Sequence, residues 1–395
     1  MKATIYILFF FALAACQQNK NVKDDDGNSI ETNPDFRKLS ATEKEAYKAT
    51  VARMYDSILG RRNFNGGVLV AKNGEILFED YKGYANLDSK DTITQNSAFH
   101  IASVSKTFTG VAVLKLWEEK KINLDDSVQT YLAGFPYSGI TVRMLLNHRS
   151  GLPNYVYFMP ADTAWKRRGR IATNNDVLEF MISRKPGIQA YPNRRFQYCN
   201  TNYALLALIV EKVTGQYFPE YMKSTIFTPL AMENTFIFSI KDTANYTPSY
   251  NYNNTIFPLE NMDCIYGDKN VYSTPRDLLK WDQALYTNNI IKQSTFEEAT
   301  QPTSNERPSI HNYGLGFRLM LMPNDYKIVY HNGWWHGNNA VFSRLIKDTA
   351  TIIIVGNKYN REIYKGFKMG LAFSDALDPN KQEDELGGPS MKSTK

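Results

Sequence analysis

Ser103 and Lys106 form a Ser-x-x-Lys pattern, and their types and spacing suit nucleophilic catalysis. They precede a mostly apolar run that reaches Trp117 and predicts a buried helix. Residues three apart share one face of a helix, so the lysine amine would reach the serine hydroxyl. A serine hydroxyl becomes a strong nucleophile when a neighbouring base takes its proton, and a lysine amine can be that base. Backbone N–H groups at the helix N-terminus would stabilise a developing oxyanion.

The alternative for this pattern is structural: a capping serine followed by a lysine on a solvated helix face. Short motifs of this kind are only hypotheses when taken singly. Ser-x-x-Lys occurs once in the chain, however, and the residues after Lys106 are too apolar for an exposed helix. Both observations favour a nucleophilic Ser103, and further site residues are needed to decide against the structural alternative.

Tyr198-Cys-Asn200 is the first downstream segment that could complete such a site. It precedes the apolar run 204–215, which predicts a buried helix that ends at a glycine. Side chains two apart in an extended segment point the same way, so Tyr198 and Asn200 would face one cleft and Cys199 would pack on the other side. On composition alone, we interpret Tyr198 as a structural tyrosine.

His331-Asn-Gly333 is the second downstream segment and is predicted to close the strand 327–330. A glycine there would let a substrate backbone approach the strand edge. The backbone N–H of Trp334 could then complete an oxyanion hole. The alternative is a hydrogen-bonded structural histidine in a turn.

In this order, Ser103-Val-Ser-Lys106, Tyr198-Cys-Asn200 and His331-Asn-Gly333 resemble the three motifs of the serine β-lactamase and penicillin-binding-protein superfamily. The resemblance is to its class C, DD-peptidase and esterase branch, and covers about residues 45–370. It implies the corresponding fold and a covalent acyl-enzyme mechanism.

Site roles follow from this resemblance. Ser103 would attack the carbonyl and Lys106 would accept or relay its proton. Tyr198 would protonate the leaving group and activate the deacylating water. The resemblance leaves open whether Lys106 or Tyr198 is the base. Asn200 would hold the amide or ester side chain of the substrate. The N–H groups of Ser103 and Trp334 would bind the oxyanion.

Two features depart from the family pattern. His331 stands where many relatives have the first lysine of Lys-Thr-Gly, and a histidine is mostly neutral near pH 7. His331 would therefore attract a substrate carboxylate less than lysine does, which disfavours an efficient β-lactamase and leaves a peptidase open. Trp334 and Trp335 are bulky, which indicates either an apolar acyl pocket or a packed rim.

The helices and strands that must position these residues predict an α+β fold. In this fold an antiparallel β-sheet is flanked by helices and carries an inserted, mainly helical lobe. Apolar residues at helical spacing predict an N-terminal helix at 40–61. The Asn73-Gly74 turn predicts a hairpin of strands 67–72 and 75–81, and hairpin spacing predicts the C-terminal strands 313–321, 326–330, 339–347 and 351–355. The hydrolase domain would span residues 41–372, with an α/β lobe at about 41–100 and 265–372 and a helical lobe at about 101–264.

The N-terminus predicts export. Lys2, the apolar run 5–13 and two alanines are typical of a signal peptide at 1–15. Leu13-Ala-Ala-Cys16 also resembles a lipobox, in which Cys16 would carry lipid, whereas the alternative is an ordinary signal peptide. We expect a lipid anchor in a bacterial membrane, with the outer membrane favoured and the protein facing the periplasm or the cell surface. A flexible tether at 16–40 and a polar tail at 373–395 would flank the domain.

Composition and motifs argue against nucleic acid, metal ions and cofactors as ligands. The net charge of +6 is too modest to predict nucleic-acid binding, and we find neither a Cys/His metal spacing nor a phosphate loop, so no cofactor or metal is expected. Cys199 and Cys264 could pair, but we interpret Cys199 as packing. The sequence does not predict an oligomeric state.

Together these features predict a serine hydrolase acting on a small ester, amide or peptide, with a carboxylesterase or D-amino-acid-type peptidase ranked above a β-lactamase. The alternatives are a penicillin-binding DD-peptidase and a catalytically idle binding protein of the same fold.

Overall fold

The computed structural model describes residues 36–60, 63–166, 169–242, 246–322 and 325–377. The predicted signal peptide 1–15 and Cys16 lie outside these ranges, as do most of the predicted tether and tail, so they stay predictions. Within the described ranges, Leu39 is already buried, and Ser40 caps the first helix in a capping box with Glu43. No helix of these ranges is long and apolar enough to cross a membrane.

The strands of the described residues are β1 (Gly66–Lys72), β2 (Glu75–Lys82), β3 (Tyr84–Asn86), β4 (Asp91–Thr92), β5 (Phe99–His100), β6 (Phe236–Ile237), β7 (Ser249–Tyr250), β8 (Ile256–Phe257), β9 (Val271–Ser273), β10 (His311–Tyr313), β11 (Arg318–Met322), β12 (Tyr326–Trp335), β13 (Asn338–Leu345) and β14 (Ala350–Gly356). Their α-helices are α1 (Ala41–Tyr55), α2 (Ser105–Glu118), α3 (Val128–Tyr131), α4 (Val142–Leu146), α5 (Tyr155–Ala161), α6 (Thr163–Lys166), α7 (Asn174–Arg184), α8 (Asn200–Thr214), α9 (Phe218–Met222), α10 (Pro275–Ala284) and α11 (Gln293–Ala299). Further helical turns are Asp56–Gly60, Ala102–Val104, Lys223–Phe227, Ile240–Asp242, Ile346–Asp348, Arg361–Ala372 and Asp375–Leu377.

A seven-stranded antiparallel sheet in the order β10-β11-β12-β13-β14-β1-β2 forms the centre of the fold. The N-terminal hairpin β1-β2 joins the C-terminal strands through β14. Asn73 and Gly74 both have positive φ, 50° and 74°, as a tight type I′ hairpin turn requires. The predicted α+β fold with helices against an antiparallel sheet is therefore confirmed.

The predicted strand 313–321 is wrong in one respect, because the chain turns back on itself and forms the two strands β10 and β11. Gly314 leaves no room for a side chain, since an added Cβ would lie 2.1 Å from the carbonyl oxygen of Ala299. Gly316 has a φ of 98°, which glycine adopts without strain. The turn packs against α2, where a Cβ on Gly110 would lie 3.1 Å from the carbonyl oxygen of Leu315. The extra turn thereby places the start of β11 close to the helix of the proposed nucleophile.

β12 is longer than the sequence predicted, because it continues from Tyr330 to Trp335. His331 and Gly333 consequently lie inside the strand and do not close it. A Cβ on Gly333 would lie 2.2 Å from the carbonyl oxygen of Ile101. The glycine is therefore required for close packing of β12 on the segment that leads to Ser103, and not only for the approach of a substrate.

The helix α2 is buried as predicted, from Ser105 through Leu114. A buried polar side chain of this helix has a hydrogen-bond partner within the protein, since the Thr109 hydroxyl donates to the carbonyl of Gly267 over 2.7 Å. The ring of Trp281 stacks on Phe108 at a centroid distance of 4.3 Å. A helix held on all sides in this way gives its first turn a fixed position in the protein.

Candidate active site

Ser103 lies in the helical turn Ala102–Val104, directly before α2, and its side chain is partly exposed to a cavity. Ala102 has a φ of 48°, which places a non-glycine residue in the left-handed region at a cost of about 1 kcal/mol. The backbone N–H of Ala102 donates to Nδ1 of His100 over 3.1 Å, which holds this conformation. A strained turn at the start of a buried helix thus presents the serine hydroxyl.

Lys106 places its Nζ 3.1 Å from the Oγ of Ser103, as the three-residue spacing predicted. The same amine donates to Oδ1 of Asn200 over 2.9 Å and to the backbone carbonyl of Asp268 over 2.6 Å. The side chain is fully buried. Two carbonyl oxygens and the Ser103 hydroxyl surround the amine nitrogen. A neutral amine held in this position can donate to both carbonyls and direct its lone pair at the hydroxyl.

Tyr198 and Asn200 both line the cavity that contains Ser103. Asn200 is the first residue of α8, and Cys199 before it is extended, with φ −145° and ψ 120°. The Cys199 thiol points away from the cavity and donates to the carbonyl of Leu152. The Tyr198 ring centre lies 5.0 Å from Nζ of Lys106. The structure therefore brings together all four residues predicted for the first two motifs.

His331 does not line the cavity, and its side chain is fully buried. Its Nδ1 donates to the carbonyl of Asn332 over 2.8 Å, so Nε2 accepts the Tyr313 hydroxyl at 3.2 Å. Burial, followed by the charges of Arg318 and Lys106, holds the pKa of His331 well below its usual value. The predicted contact between this side chain and substrate is thus corrected: His331 is a neutral, hydrogen-bonded residue behind the cavity wall.

Arg318 is a cavity residue that the sequence interpretation missed. Its guanidinium carbon lies 4.9 Å from the ring centre of Tyr198. It begins β11, opposite Tyr330 of β12. A charged residue within the apolar stretch 315–322 was the available signal, but the predicted single strand 313–321 gave no reason to place it near Ser103. A permanent cation therefore faces the cavity where His331 supplies none.

Gly333 and Trp334 lie on the part of β12 that extends beyond β11, whose pairing stops at Arg318. On that side, residues 331–335 have no strand partner among the described residues. The close contact of Gly333 with Ile101 brings this open edge against the Ser103 turn. The arrangement is compatible with the predicted oxyanion donors, the N–H groups of Ser103 and Trp334.

The active-site cavity has a volume of about 1000 Å³. Besides Tyr198, its lining includes seven aromatic side chains: Tyr157, Tyr252, Phe257, Trp334, Trp335, Tyr359 and Tyr364. Trp334 is 64% exposed at the mouth, whereas the indole N–H of Trp335 donates to Asp263 over 2.8 Å. Trp334 is thus an open part of the cavity lining, whereas Trp335 is a packed part of it.

His148 supports the Tyr198 segment from behind. It is fully buried with a φ of 58°, and its Nδ1 accepts the backbone N–H of Cys199 over 3.2 Å. Its ring centre lies 4.3 Å from that of Tyr198. Burial, with smaller contributions from Lys106 and Arg318, holds the pKa of His148 well below its usual value. His148 therefore acts as a neutral turn-stabilising residue.

A second buried lysine, also missed from the sequence, lies behind the carbonyl that holds Lys106. The Tyr155 hydroxyl donates to Oδ2 of Asp268 over 2.9 Å, and Nζ of Lys269 donates to the same hydroxyl. Burial lowers the pKa of Lys269. This buried network fixes residue 268, and with it the backbone carbonyl that positions the Lys106 amine.

Within the described ranges, no group of three or more His, Cys, Asp or Glu side chains is placed to hold a metal ion. Cys199 and Cys264 are both free thiols, so the pairing considered from the sequence does not form.

Comparison with known proteins identifies the family of the chain. The sequence profile of the family described as Beta-lactamase matches residues 51–362. A penicillin-binding protein of Bacillus subtilis (strain 168) is 33% identical over 333 residues, which cover 80% of this chain and 73% of that protein.

Solved structures show the same fold. An octameric penicillin-binding protein homologue from Pyrococcus abyssi has a TM-score of 0.71 at 23% identity, over 82% of this chain and 76% of that chain. The D-amino acid amidase from Ochrobactrum anthropi SV3 has a TM-score of 0.65 at 23% identity, over 86% of this chain and 100% of that chain. Because the profile match and the Bacillus relative span most of the described protein, the chain belongs to the beta-lactamase family, within the serine β-lactamase and penicillin-binding-protein superfamily.

Proposed function

We propose that this protein is a serine hydrolase that cleaves an ester or amide through an acyl-enzyme on Ser103. The observation that carries the proposal is the 3.1 Å contact between Nζ of Lys106 and Oγ of Ser103 at the base of an open cavity. Family membership and the amidase neighbour support it.

The reaction follows from these positions. Lys106 takes the Ser103 proton as Oγ attacks the carbonyl carbon, and backbone N–H groups of Ser103 and Trp334 bind the oxyanion. The intermediate then collapses and expels an alcohol or amine, which receives a proton from Lys106 or Tyr198. A water molecule then attacks the acyl-serine ester and gives its proton to Lys106 or Tyr198. That group returns the proton to Oγ of Ser103 as the ester bond breaks, which releases the acid and free serine.

Substrate preference follows from the charges at the cavity. The neutral, buried His331 offers no charge to a substrate carboxylate, so we rank a carboxylesterase or D-amino-acid-type peptidase above an efficient β-lactamase. Arg318 is a specific reason to retain a second candidate, a penicillin-binding DD-peptidase, because a guanidinium can bind the free carboxylate of a peptide. The name of the Bacillus relative supports that candidate.

The third alternative, an idle binding protein, is disfavoured by the assembled site. The Lys106 amine contacts both Ser103 and Asn200. Ser103, Asn200 and Tyr198 all line the cavity. A site retired from catalysis has no need to keep a buried lysine beside an accessible serine.

The hydrolase proposal is tested on the chain from residue 17 onward, which keeps the Leu39 contact and the Ser40 cap. A chromogenic cephalosporin, a short-chain nitrophenyl ester and a D-Ala-D-Ala peptide are compared on wild type, Ser103→Ala and the exposed control Ser89→Ala. We expect turnover of at least one substrate, lost in Ser103→Ala and kept in Ser89→Ala. Equal rates for wild type and Ser103→Ala on all three would refute the mechanism.

We further propose that lipid on Cys16 anchors the protein in the outer membrane, facing the periplasm or the cell surface. The lipobox-like Leu13-Ala-Ala-Cys16 supports this proposal. Wild-type protein in the native host should take up labelled fatty acid and sediment with outer membranes, and Cys16→Ser should do neither. Unlabelled wild-type protein would contradict the anchor without affecting the hydrolase proposal.

A further inference from the structure

A second cavity, of about 960 Å³, lies beside the active-site cavity. It is lined on one side by residues 189–197 and on the other by residues 304–311. Gln189 and Gln197 line both cavities. The two spaces therefore adjoin along this pair of glutamines.

The boundary between the cavities is weak. Nε2 of Gln197 donates to Oε1 of Gln189 over 3.5 Å, at the long limit for a hydrogen bond. Such a contact contributes little, and a ligand chain lying across it can replace it with amide contacts of its own. An extended substrate could thus occupy both cavities at once.

The second cavity, which we call the arginine groove, carries an excess of positive charge. Arg194, Arg195 and Arg307 line it. Within the described part of the chain, none of the three pairs with a carboxylate, and Arg195 donates only to the carbonyl of Gln189, over 3.4 Å. The carboxylate that lines the groove, Glu306, is engaged by Arg149.

A cleft lined by one sign of charge concentrates ligands of the other sign. Guanidinium groups bind carboxylates and phosphates through paired N–H donors, which gives orientation as well as attraction. Arg318 extends the positive charge to the active-site cavity, since its guanidinium lies over the ring of Tyr198. Arginine side chains therefore line both of the adjoining cavities.

We propose that the arginine groove binds an anionic extension of the substrate, bearing carboxylate or phosphate groups, while the reacting carbonyl lies at Ser103. The groove begins at Gln197, next to Tyr198, the proposed proton donor to the leaving group, so the anionic extension belongs to the leaving part. This inference rests on the proposed hydrolase function, which it deepens by naming a substrate class.

The test uses three esters with the same acyl group. Their leaving alcohols are equally long chains that end in a neutral amide, a carboxylate or a phosphate. Wild type is compared with Arg194→Gln/Arg307→Gln and with the control Arg53→Gln/Lys212→Gln, which removes two charges at positions that line neither cavity.

We expect the groove variant to lower kcat/KM roughly threefold to tenfold for the anionic esters, as the loss of two exposed ion pairs implies, and to leave the neutral ester unchanged. The control should match wild type, and the loss should shrink at about 0.5 M salt, where screening is strong. A loss limited to the carboxylate or to the phosphate ester identifies which anion the groove takes. Equal effects on all three esters, or no effect, overturn the proposal.

Binding separates this proposal from the hydrolase proposal. Calorimetric titration of the intact esters onto Ser103→Ala, with and without the groove substitutions, measures affinity without turnover. Tighter binding of an anionic ester that is lost with the two arginines supports the groove even if no ester is cleaved. Equal affinities rule the groove out even if the neutral ester is hydrolysed.

Discussion

Nζ of Lys106 lies 3.1 Å from Oγ of Ser103, one helical turn away, and is held there from two other directions. The side-chain carbonyl of Asn200 and the backbone carbonyl of Asp268 accept its remaining hydrogen bonds. The amine therefore has one available position, and that position is beside the hydroxyl it must activate. Acceleration by a base placed in this way depends on geometry as much as on its basicity.

Lys106→Met tests this relationship with a side chain of similar length and no amine. We expect the rate of Ser103 acylation to fall about 10²- to 10⁴-fold, the usual effect of removing a positioned base. The buried carbonyl of Asp268 loses its donor, which should cost about 1–3 kcal/mol of stability. Acylation is followed by rapid-quench mass spectrometry, and folding by circular dichroism. A folded variant with wild-type acylation would exclude Lys106 as the base.

Gly333→Ala tests the close packing of β12 on the nucleophile segment. Its Cβ would lie 2.2 Å from the carbonyl oxygen of Ile101 and 3.1 Å from Cβ of Ala102, so the backbone must shift. We expect a loss of about 1–3 kcal/mol in the free energy of unfolding, with a fall in kcat. Gly187→Ala is the matched control, because nothing lies within 4 Å of its added Cβ. Equal denaturation midpoints for the two variants would contradict the packing argument.

Arg318→Gln tests the carboxylate-binding role. We expect kcat/KM for a D-Ala-D-Ala peptide to fall about tenfold or more, because a charged hydrogen bond contributes about 1.5–3 kcal/mol. A neutral nitrophenyl ester should be much less affected. Arg318→Lys should recover part of the peptide activity, since the charge returns without the paired donors. The same loss on ester and peptide would show that the arginine only supports Tyr198.

The buried histidines predict that stability falls in mild acid. Burial lowers the pKa of His100 to about 3 and holds those of His148 and His331 well below their usual value. Unfolded histidines protonate near pH 6.5, so below that pH the unfolded chain binds more protons than the folded one. The free energy of unfolding should therefore decrease as pH falls below about 6.5, by up to about 1.4 kcal/mol per pH unit for each histidine.

Urea titrations at about pH 7.5 and pH 5 measure this dependence. His100→Asn, whose amide oxygen can replace Nδ1 as the acceptor for the Ala102 N–H, should show a shallower decrease than wild type. An unchanged dependence in that variant would show that His100 does not contribute to it.

Local chemistry made a large part of the site readable from the sequence. The Ser103–Lys106 contact follows from helical periodicity, and the Asn73-Gly74 turn from its backbone requirement. Tyr198 and Asn200 were placed in one cleft by the period of an extended segment. These relationships join residues that are close along the chain, where local geometry is enough.

Tertiary structure alone decided the rest, because it depends on which distant segments meet. Asp268 holds the Lys106 amine from 162 residues away. Arg318 reaches the cavity because glycines pack a turn against α2, and no local pattern encodes that contact. His331 stands at a motif position, yet it is buried beside Tyr313, and only the packing of β12 on the Ser103 turn shows this. The sequence by itself determined the fold class and the pair Ser103 and Lys106. Long-range packing decided which charges face the cavity, because sequence periodicity reports only on residues that are close along the chain.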